Sequence, residues 1–278
     1  EIIEEEKRAA IDKGHLEVWS ALYDVLSVDE FSTLYHCLEH RRYHNEELIV
    51  SQGALQNSLF FINSGKVKLF FREEGSDVLV KTMVPGEVLG AGTFFDASVW
   101  TISAASLGSS EISSLQLKNL ERWKEEYPAL ESKLSDFCSS FERIDQFFKK
   151  SNRDRRQFKR LKISGRISAT LLNSEGQNSG VSTKGELSDI STGGVSFFVR
   201  ISKKENARLL LGRGVRVVLP GSEVSGQAAG RQGVIMAVRG YHVMENEYSV
   251  HVKFDVNMHH HELQRVLQGS PEGARAGL

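Results

Sequence analysis

The stretch DRRQFKR, residues 154–160, places three arginines and one lysine around Phe158 just past the middle of a 278-residue chain. A chain of this length predicts two domains with a boundary near its midpoint. Residues 149–166 contain nine bases and one acid, although the formal net charge of the whole chain is −1. Such focused positive charge favours a compact anion with several phosphates over a long nucleic-acid track.

Short apolar or alternating runs on both sides of this stretch predict a mainly β protein with helices. Between residues 48 and 117 the runs are separated by Gly, Asn, Ser and Pro, as is typical of an antiparallel sandwich or jelly roll. From residue 162 to 256, six further runs without a long helix between them predict a small antiparallel β-barrel. Residues 258–268 predict a final helix, and residues 269–278 a flexible tail.

Two segments have helical periodicity. Residues 1–35 carry apolar side chains at helical spacing, among them Ile11, Leu16, Trp19, Leu22 and Leu26. Pro128 opens a segment without Gly or Pro, which predicts a long connecting helix over residues 128–152. Its apolar seam is formed by Leu130, Leu134, Phe137, Phe141, Ile144 and Phe148. This seam fits a helix packed on its own β domain, and it also fits a helix that forms a homodimer.

Two motifs of the second half stand in a recognisable order. Arg156 and Arg160 form an R-x-x-x-R pair directly after Arg155, and the sequence DISTGG follows at residues 189–194 as a D-x-S-x-x-G pattern. Together with the predicted barrel and final helix, these motifs resemble the PilZ domain over roughly residues 153–268. The resemblance implies a bacterial receptor whose ligand is cyclic di-GMP, with no cofactor.

The arginines are expected to bind the phosphates and the guanine edges of this ligand. A guanidinium group forks onto a phosphate or onto guanine O6 and N7, and it stacks on a purine face. We assign these contacts to Arg156 and Arg160. Because Arg155 supplies an extra donor, we predict two intercalated cyclic di-GMP molecules per site.

The second motif is expected to hold a guanine from the other side. Asp189 would accept hydrogen bonds from the guanine N1–H and N2 amine, and Ser191 would contribute a hydroxyl group. Gly194 would let the backbone turn tightly beside the base, and Gly193 next to it is also assigned to the ligand-binding site. A β-turn whose Asp and Ser only cap the backbone is the alternative reading of this motif taken alone.

The first half carries a second resemblance. The stretch MVPGEVLGAGTFFDASVWTISAAS, residues 83–106, resembles the phosphate-binding cassette of cyclic-nucleotide-binding domains of the catabolite-activator type. Members that bind cyclic AMP have a glutamate for the ribose and an arginine for the phosphate. Here the first place falls near Gly90 or Ala91, and the second is taken by Trp100. Because a buried phosphate without a cation is costly, we predict that the jelly roll is kept and cyclic mononucleotide binding is lost.

These resemblances predict a non-catalytic receptor that acts on an unidentified output protein. The expected parts are a cyclic-nucleotide-binding-like domain at 1–127, the connecting helix at 128–152, a PilZ domain at 153–268 and the tail. Ligand is expected to order residues 153–160 and to move the two domains. One alternative is a transcription regulator that contacts nucleic acid through its basic arm, with cyclic di-GMP as competitor. Another is an interaction scaffold with a vestigial pocket.

Other signals point away from catalysis, metals, DNA and membranes. No Ser/His/Asp or Cys/His set stands in a recognisable motif, and no helix-turn-helix pattern follows residue 150. His259–His261 are adjacent and cannot converge on one metal ion, and the distant Cys37 and Cys138 predict reduced thiols. No apolar run reaches 18 residues, so we expect a cytoplasmic protein without a membrane span. The chain begins at Glu1 without methionine, so we expect a segment upstream.

Overall fold

The computed structural model describes residues 11–73, 75–141, 158–224, 227–242 and 245–270. The described residues form two compact units, one of residues 11–95 and 99–141 and one of residues 96–98 and 158–270. Both units are mainly β with some helices, as predicted. Arg155, Arg156, Ile144 and Phe148 lie outside the described residues.

Helices of the first unit are short. They are α1 (Lys13–Val18), α2 (Ser20–Tyr23), α3 (Val28–His36), α4 (Ala91–Phe94), α5 (Leu117–Arg122) and α6 (Leu130–Ser139). The continuous helical stretch predicted up to residue 35 is therefore interrupted within its described part. Trp19 leaves the helical conformation between α1 and α2, and its ring is held in the core instead. Ser27 caps the start of α3 in a capping box. The Ser27 hydroxyl accepts a hydrogen bond from the Glu30 N–H, and the Glu30 carboxylate accepts one from the Ser27 N–H.

The strands of the first unit form an antiparallel sandwich. They are β1 (Glu39–Tyr43), β2 (Leu48–Val50), β3 (Ser58–Glu73), β4 (Ser76–Met83), β5 (Val88–Leu89) and β7 (Ser103–Gln116), with the order β1-β7-β3-β4, β2 on β7 and β5 on β3. The run Leu59–Ile62 of β3 is apolar without alternation because both faces are covered. Leu59 and Phe61 pack against the helices, whereas Phe60 and Ile62 pack inside the sandwich.

Helix α6 packs on its own unit. Leu130, Leu134 and Cys138 are buried in the core that the helices share with β3, and burial raises the pKa of the Cys138 thiol to about 12. Lys133 Nζ lies 2.6 Å from Glu30 Oε2 of α3. The four described residues of the six-residue seam therefore face their own domain, and a homodimer stays a prediction.

The strands of the second unit pair in a closed ring. They are β6 (Ala97–Ser98), β8 (Leu161–Lys162), β9 (Arg166–Leu172), β10 (Asn178–Ser191), β11 (Gly194–Arg200), β12 (Gly214–Val224), β13 (Gln227–His242) and β14 (Glu247–Phe254). Antiparallel pairing runs from β10 through β11, β14, β13, β12 and β9 and returns to β10. Strand β8 adds to β10, and β6 adds to β13.

Side chains alternate between the inward and outward faces of this ring along β11. On β11, Val195, Phe197 and Val199 are buried in the core of the unit, whereas Ser196 and Phe198 point to the opposite face. The unit has two helices among its described residues, α7 (Lys204–Arg208) and α8 (His260–Gln268). Helix α8 lies where the sequence predicts a final helix, and its Leu263 and Val266 join the core.

Candidate ligand-binding site

The described part of the basic stretch contacts the DISTGG motif directly. Arg160 Nη1 donates to Asp189 Oδ1 at 3.2 Å, with 37% of the arginine side chain and 15% of the aspartate side chain exposed. Asp189 lies on β10 at an irregularity in its pairing, where it is opposite Lys162 of β8 on one side and Ser196 of β11 on the other. The two predicted motifs are therefore brought together around one carboxylate.

An open cleft of about 460 Å³ starts at this carboxylate and runs across the outer face of the ring. It is lined by Lys162, Ile163, Ser188, Asp189, Ser196, Phe198, Tyr241, Ser249 and His251. Ligand pockets have volumes of about 300–1,000 Å³, so the cleft is large enough for a nucleotide-sized ligand. Its walls combine hydroxyl groups, aromatic rings and charged groups.

The charges at the cleft are uneven. Lys162 lines the cleft and is exposed, and Arg160 adjoins it through Asp189. Two cationic side chains thus lie beside one carboxylate at this end of the cleft. A dianionic ligand would find an excess of positive charge there, with Arg160 able to supply a guanidinium fork.

Phe158 links the basic stretch to the glycine pair. Its ring lies over Gly193, so closely that a Cβ added to Gly193 would come within 2.5 Å of Phe158 Cδ2. Gly193 also accepts a backbone hydrogen bond from Phe254 at 3.0 Å, which ties the turn to the end of β14. The missing side chain of Gly193 therefore makes room for the ring that precedes Arg160.

Gly194 meets a different steric requirement from the one the sequence suggests. A Cβ on Gly194 would overlap the carbonyl oxygen of Val252, because β11 and β14 pair closely there. Its backbone does not occupy the left-handed region. The glycine thus permits close strand approach, and its expected role beside a base stays a prediction.

Ser191 is buried at the end of β10, and its hydroxyl donates to the Gly194 carbonyl over a long 3.4 Å. This is the contact of a residue that caps a turn. A role of Ser191 toward a ligand stays a prediction, as do the roles of Arg155 and Arg156, which lie outside the described residues.

Sequence reasoning missed Phe158 and the far half of the cleft. Ser196, Phe198, Ser249 and His251 come from β11 and β14, and Tyr241 comes from β13. One signal was present in the sequence. Phe198 is an aromatic residue at a position where the period-two pattern of β11 predicts an outward side chain.

The cassette of the first unit is filled by protein. Trp100 is 2% exposed, packs in the sandwich core and donates its Nε1–H to the Gln56 carbonyl at 2.7 Å. Gly90 has a φ of 98°, and a Cβ there would meet the Trp100 ring at 3.0 Å. The residue at the expected place of the phosphate-binding arginine is therefore an anchored core side chain.

The described residues contain neither a metal site nor a membrane-spanning helix. No group of three or more His, Cys, Asp or Glu side chains in the described part of the chain is arranged to hold a metal ion. Among the same residues, no helix has the length and apolar character needed to cross a bilayer.

Each half of the chain matches a known domain family. The family described as cyclic nucleotide-binding domain matches residues 40–127, and the family described as PilZ domain matches residues 154–269. The chain carries a cyclic nucleotide-binding domain followed by a PilZ domain. Both are regulatory families rather than enzyme families, and the PilZ match includes the cleft residues of β8, β10, β11, β13 and β14. A comparison with curated proteins finds no match.

Solved structures resemble about half of the chain. The N-terminal domain of a transcriptional regulator from Streptomyces coelicolor A3(2) is 19% identical, covers 47% of this chain and 90% of its own, and has a TM-score of 0.39. Catabolite activator protein of Thermus thermophilus is 21% identical, covers 47% of this chain and 59% of its own, and has a TM-score of 0.39. A cyclic nucleotide-binding domain from Methylobacillus flagellatus KT is 14% identical, covers 50% of this chain and 80% of its own, and has a TM-score of 0.43. With TM-scores below 0.5, these likenesses add nothing to the two domain matches.

Proposed function

We propose that this protein is a receptor for cyclic di-GMP, which binds in the outer cleft of a PilZ-type β-barrel. The observation that carries the proposal is the meeting of Arg160 and Asp189 at the head of the cleft. These residues belong to the two PilZ motifs, and the cleft volume of about 460 Å³ is in the range of ligand pockets. The pairing of six strands in a ring supports the barrel that the proposal requires.

Binding would replace the ion pair with contacts to the ligand. The Asp189 carboxylate accepts the N1–H and N2 amine of one guanine, and the Arg160 guanidinium turns to O6 and N7 or to a phosphate. The guanidinium group is the more exposed partner of this pair, so a charged ligand can reach it from the solvent and compete for its contact with the carboxylate. Phe158 lies over Gly193 two residues before Arg160, so a movement of Arg160 toward the ligand would also shift this ring. This shift is our candidate for the signal to an output protein.

Isothermal titration of the full chain with cyclic di-GMP tests the proposal. Arg160→Ala should lower the affinity at least tenfold, because a charge-assisted contact is lost. Arg166→Ala is the matched control, since Arg166 is an exposed arginine of β9 outside the cleft lining, and it should bind like the parent chain. Absence of binding heat, or equal losses in both variants, would refute the proposal. A stoichiometry of two supports the predicted pair of intercalated ligands, and a stoichiometry of one contradicts that detail alone.

The alternative of direct DNA binding makes a different prediction. The described helices α7 and α8 of the second unit are separated by strands β12–β14, which does not match a helix-turn-helix. Gel-shift titrations at increasing salt would detect a basic arm that binds nucleic-acid phosphates, because such binding weakens steeply with salt. We expect no shift at physiological salt, and we likewise expect the pocket to be functional rather than vestigial.

We also propose that the first domain does not bind cyclic mononucleotides. The supporting observation is the buried Trp100 ring against Gly90, because an indole at the expected place of the phosphate-binding arginine offers no positive charge to a phosphate. Titration with cyclic AMP and with cyclic GMP should give no heat in a sample that binds cyclic di-GMP. Binding of either mononucleotide that persists in Arg160→Ala would place an active pocket in the first domain and overturn this proposal.

A further inference from the structure

We infer that the far half of the cleft is a second base-binding subsite, in which Tyr241 and Phe198 stack a second guanine of the bound cyclic di-GMP. The inference rests on the proposed function, because it assigns further residues to the same ligand. None of these residues belongs to the R-x-x-x-R or D-x-S-x-x-G motif. They are contributed by β11, β13 and β14.

Strand register places the subsite at a suitable distance from the first. Asp189 of β10 is opposite Ser196 of β11, which is in turn opposite His251 of β14, so these side chains form one row across three strands. Phe198 and Ser249 form the next row. Strands lie about 4.8 Å apart, so β10 and β13 are separated by about 14 Å. The cleft therefore spans far more than one base, as a ligand with two guanines requires.

The two rings form a platform on an otherwise polar face. The ring centroids of Phe198 and Tyr241 are 4.4 Å apart with an angle of 35° between the planes, and Tyr241 is 55% exposed. An exposed aromatic ring such as that of Tyr241 is a common means by which proteins hold nucleobases, since every base has a π face. Such stacking is sequence-tolerant, so base identity has to be read by neighbouring polar groups.

Unsatisfied polar atoms lie next to the platform. The Ser196 residue is 1% exposed, and its hydroxyl has no hydrogen-bond partner among the described residues although it lines the cleft. Arg239 is opposite Ser249 on the neighbouring strand, and its buried Nε also has no partner within the described part of the chain. Buried polar groups are nearly always paired in native proteins. Because neither atom is exposed in this structure, the O6 and N7 edge of a guanine could accept from these donors only after the side chains that cover them move.

The imidazole of His251 completes the polar side of the subsite. His251 Nε2 lies 3.1 Å from the Ser249 hydroxyl, so the two side chains hold each other in place on β14. Ser196, Ser249 and His251 thus offer a base edge several donors and acceptors in a fixed arrangement.

Titration of three variants with cyclic di-GMP tests the subsite. Tyr241→Ala should lower the affinity about tenfold or more, the loss expected when one stacked base is released. Tyr241→Phe keeps the ring and should bind within about twofold of the parent chain. Because Tyr241 is largely exposed, neither change removes a core side chain. Ser196→Ala should weaken binding without changing the stoichiometry, since it removes only a polar partner.

The outcomes separate this inference from the proposed function. If the parent chain binds cyclic di-GMP and Tyr241→Ala binds equally well, the second subsite is wrong while the receptor function stands. If Tyr241→Phe loses as much affinity as Tyr241→Ala, the hydroxyl rather than the ring makes the contact, and the stacking platform is refuted. If the parent chain shows no binding, the proposed function itself fails.

Discussion

Arg160 and Asp189, which are 29 residues apart in the sequence, form an ion pair at 3.2 Å on the outer face of the second domain. Arg160 is the described arginine of the R-x-x-x-R pair, and Asp189 is the first residue of the D-x-S-x-x-G motif. The aspartate is the less exposed partner, so its carboxylate is held in place while the arginine lies at the surface. A ligand that uses both residues must open this pair and compensate both charges.

The first prediction concerns the coupling between these two residues. Arg160→Ala and Asp189→Ala should each weaken cyclic di-GMP binding at least tenfold. The double variant should bind only slightly less tightly than the single variant with the lower affinity. Two residues that contact the same part of a ligand give a coupling energy of about 0.5–3 kcal/mol in a double-mutant cycle. The cycle with Arg166→Ala and Asp189→Ala is the control and should be additive. Additive losses for Arg160 and Asp189 would contradict joint recognition of one guanine.

The second prediction separates the two adjacent glycines. Gly194→Ala should destabilise the second domain by about 1–3 kcal/mol, because its methyl group meets the fixed backbone of Val252. Gly193→Ala meets only the ring of Phe158, which can rotate away, so its effect on stability should stay within about 0.5 kcal/mol. Hydrogen exchange of the β11 and β14 amides measures both changes. Equal protection in the two variants would contradict the assigned contacts.

The same pair of variants also tests the role of Phe158. Because Gly193→Ala displaces this ring, which lies two residues before Arg160, it should weaken ligand binding although the fold is intact. Binding at the level of the parent chain would show that the position of Phe158 does not matter for Arg160.

The third prediction concerns the attachment of α6 to the first domain. Burial by itself would raise the pKa of Glu30, but hydrogen bonds from Lys133 and Ser27 hold this pKa below its usual range. Lys133→Ala removes the main cationic partner of a nearly buried carboxylate and should cost about 1–3 kcal/mol of unfolding free energy. Arg42→Ala, which breaks the exposed pair with Glu111, should cost at most about 1 kcal/mol.

Tryptophan fluorescence during urea denaturation measures this difference selectively. The chain has three tryptophans, and Trp19, Trp100 and Trp123 are all buried in the first domain. The signal therefore reports unfolding of that domain alone. Equal destabilisation by Lys133→Ala and Arg42→Ala would show that the α6 ion pair behaves like a surface pair.

The fourth prediction concerns acid sensitivity. Burial, with a smaller effect of nearby His40, lowers the pKa of His15 from 6.5 to about 4. The unfolded chain therefore binds a proton on this ring near pH 6.5, whereas the folded chain does so only near pH 4. The contribution of neutral His15 to the free energy of unfolding is therefore fully present above about pH 6.5, and it is lost as the pH falls toward 4. Tyr35 packs edge-on against the ring at 5.0 Å, which helps to exclude water.

Urea denaturation at pH 7 and at pH 4.5, followed by tryptophan fluorescence, measures this effect. His15→Phe should reduce the difference in unfolding free energy between the two pH values. His44→Phe changes an exposed histidine of the same domain and should leave the difference as in the parent chain. An unchanged pH dependence in His15→Phe would rule out His15 as the responsible group.

Much of the fold could be predicted because its elements depend on local patterns. Runs such as GGVSFFVRI and YSVHVKFDV alternate with period two, and they became β11 and β14. The helical prediction up to residue 35 was less accurate, since periodicity does not show where a bulky side chain such as Trp19 leaves the helix to enter a core. The far half of the cleft could not be predicted, because Phe198, Tyr241 and His251 meet only through the pairing register of three strands.

Residue chemistry and short-range order belong to the sequence alone: the focused positive charge, the two motifs and their order, and the replacement of a phosphate-binding arginine by Trp100. Tertiary structure decided which of these groups meet. The contact of Arg160 with Asp189, the ring of Phe158 over Gly193 and the aromatic platform depend on long-range strand pairing and on the close packing of backbones. These are properties of a closed sheet, in which register sets the neighbours of every side chain, and no local pattern encodes them.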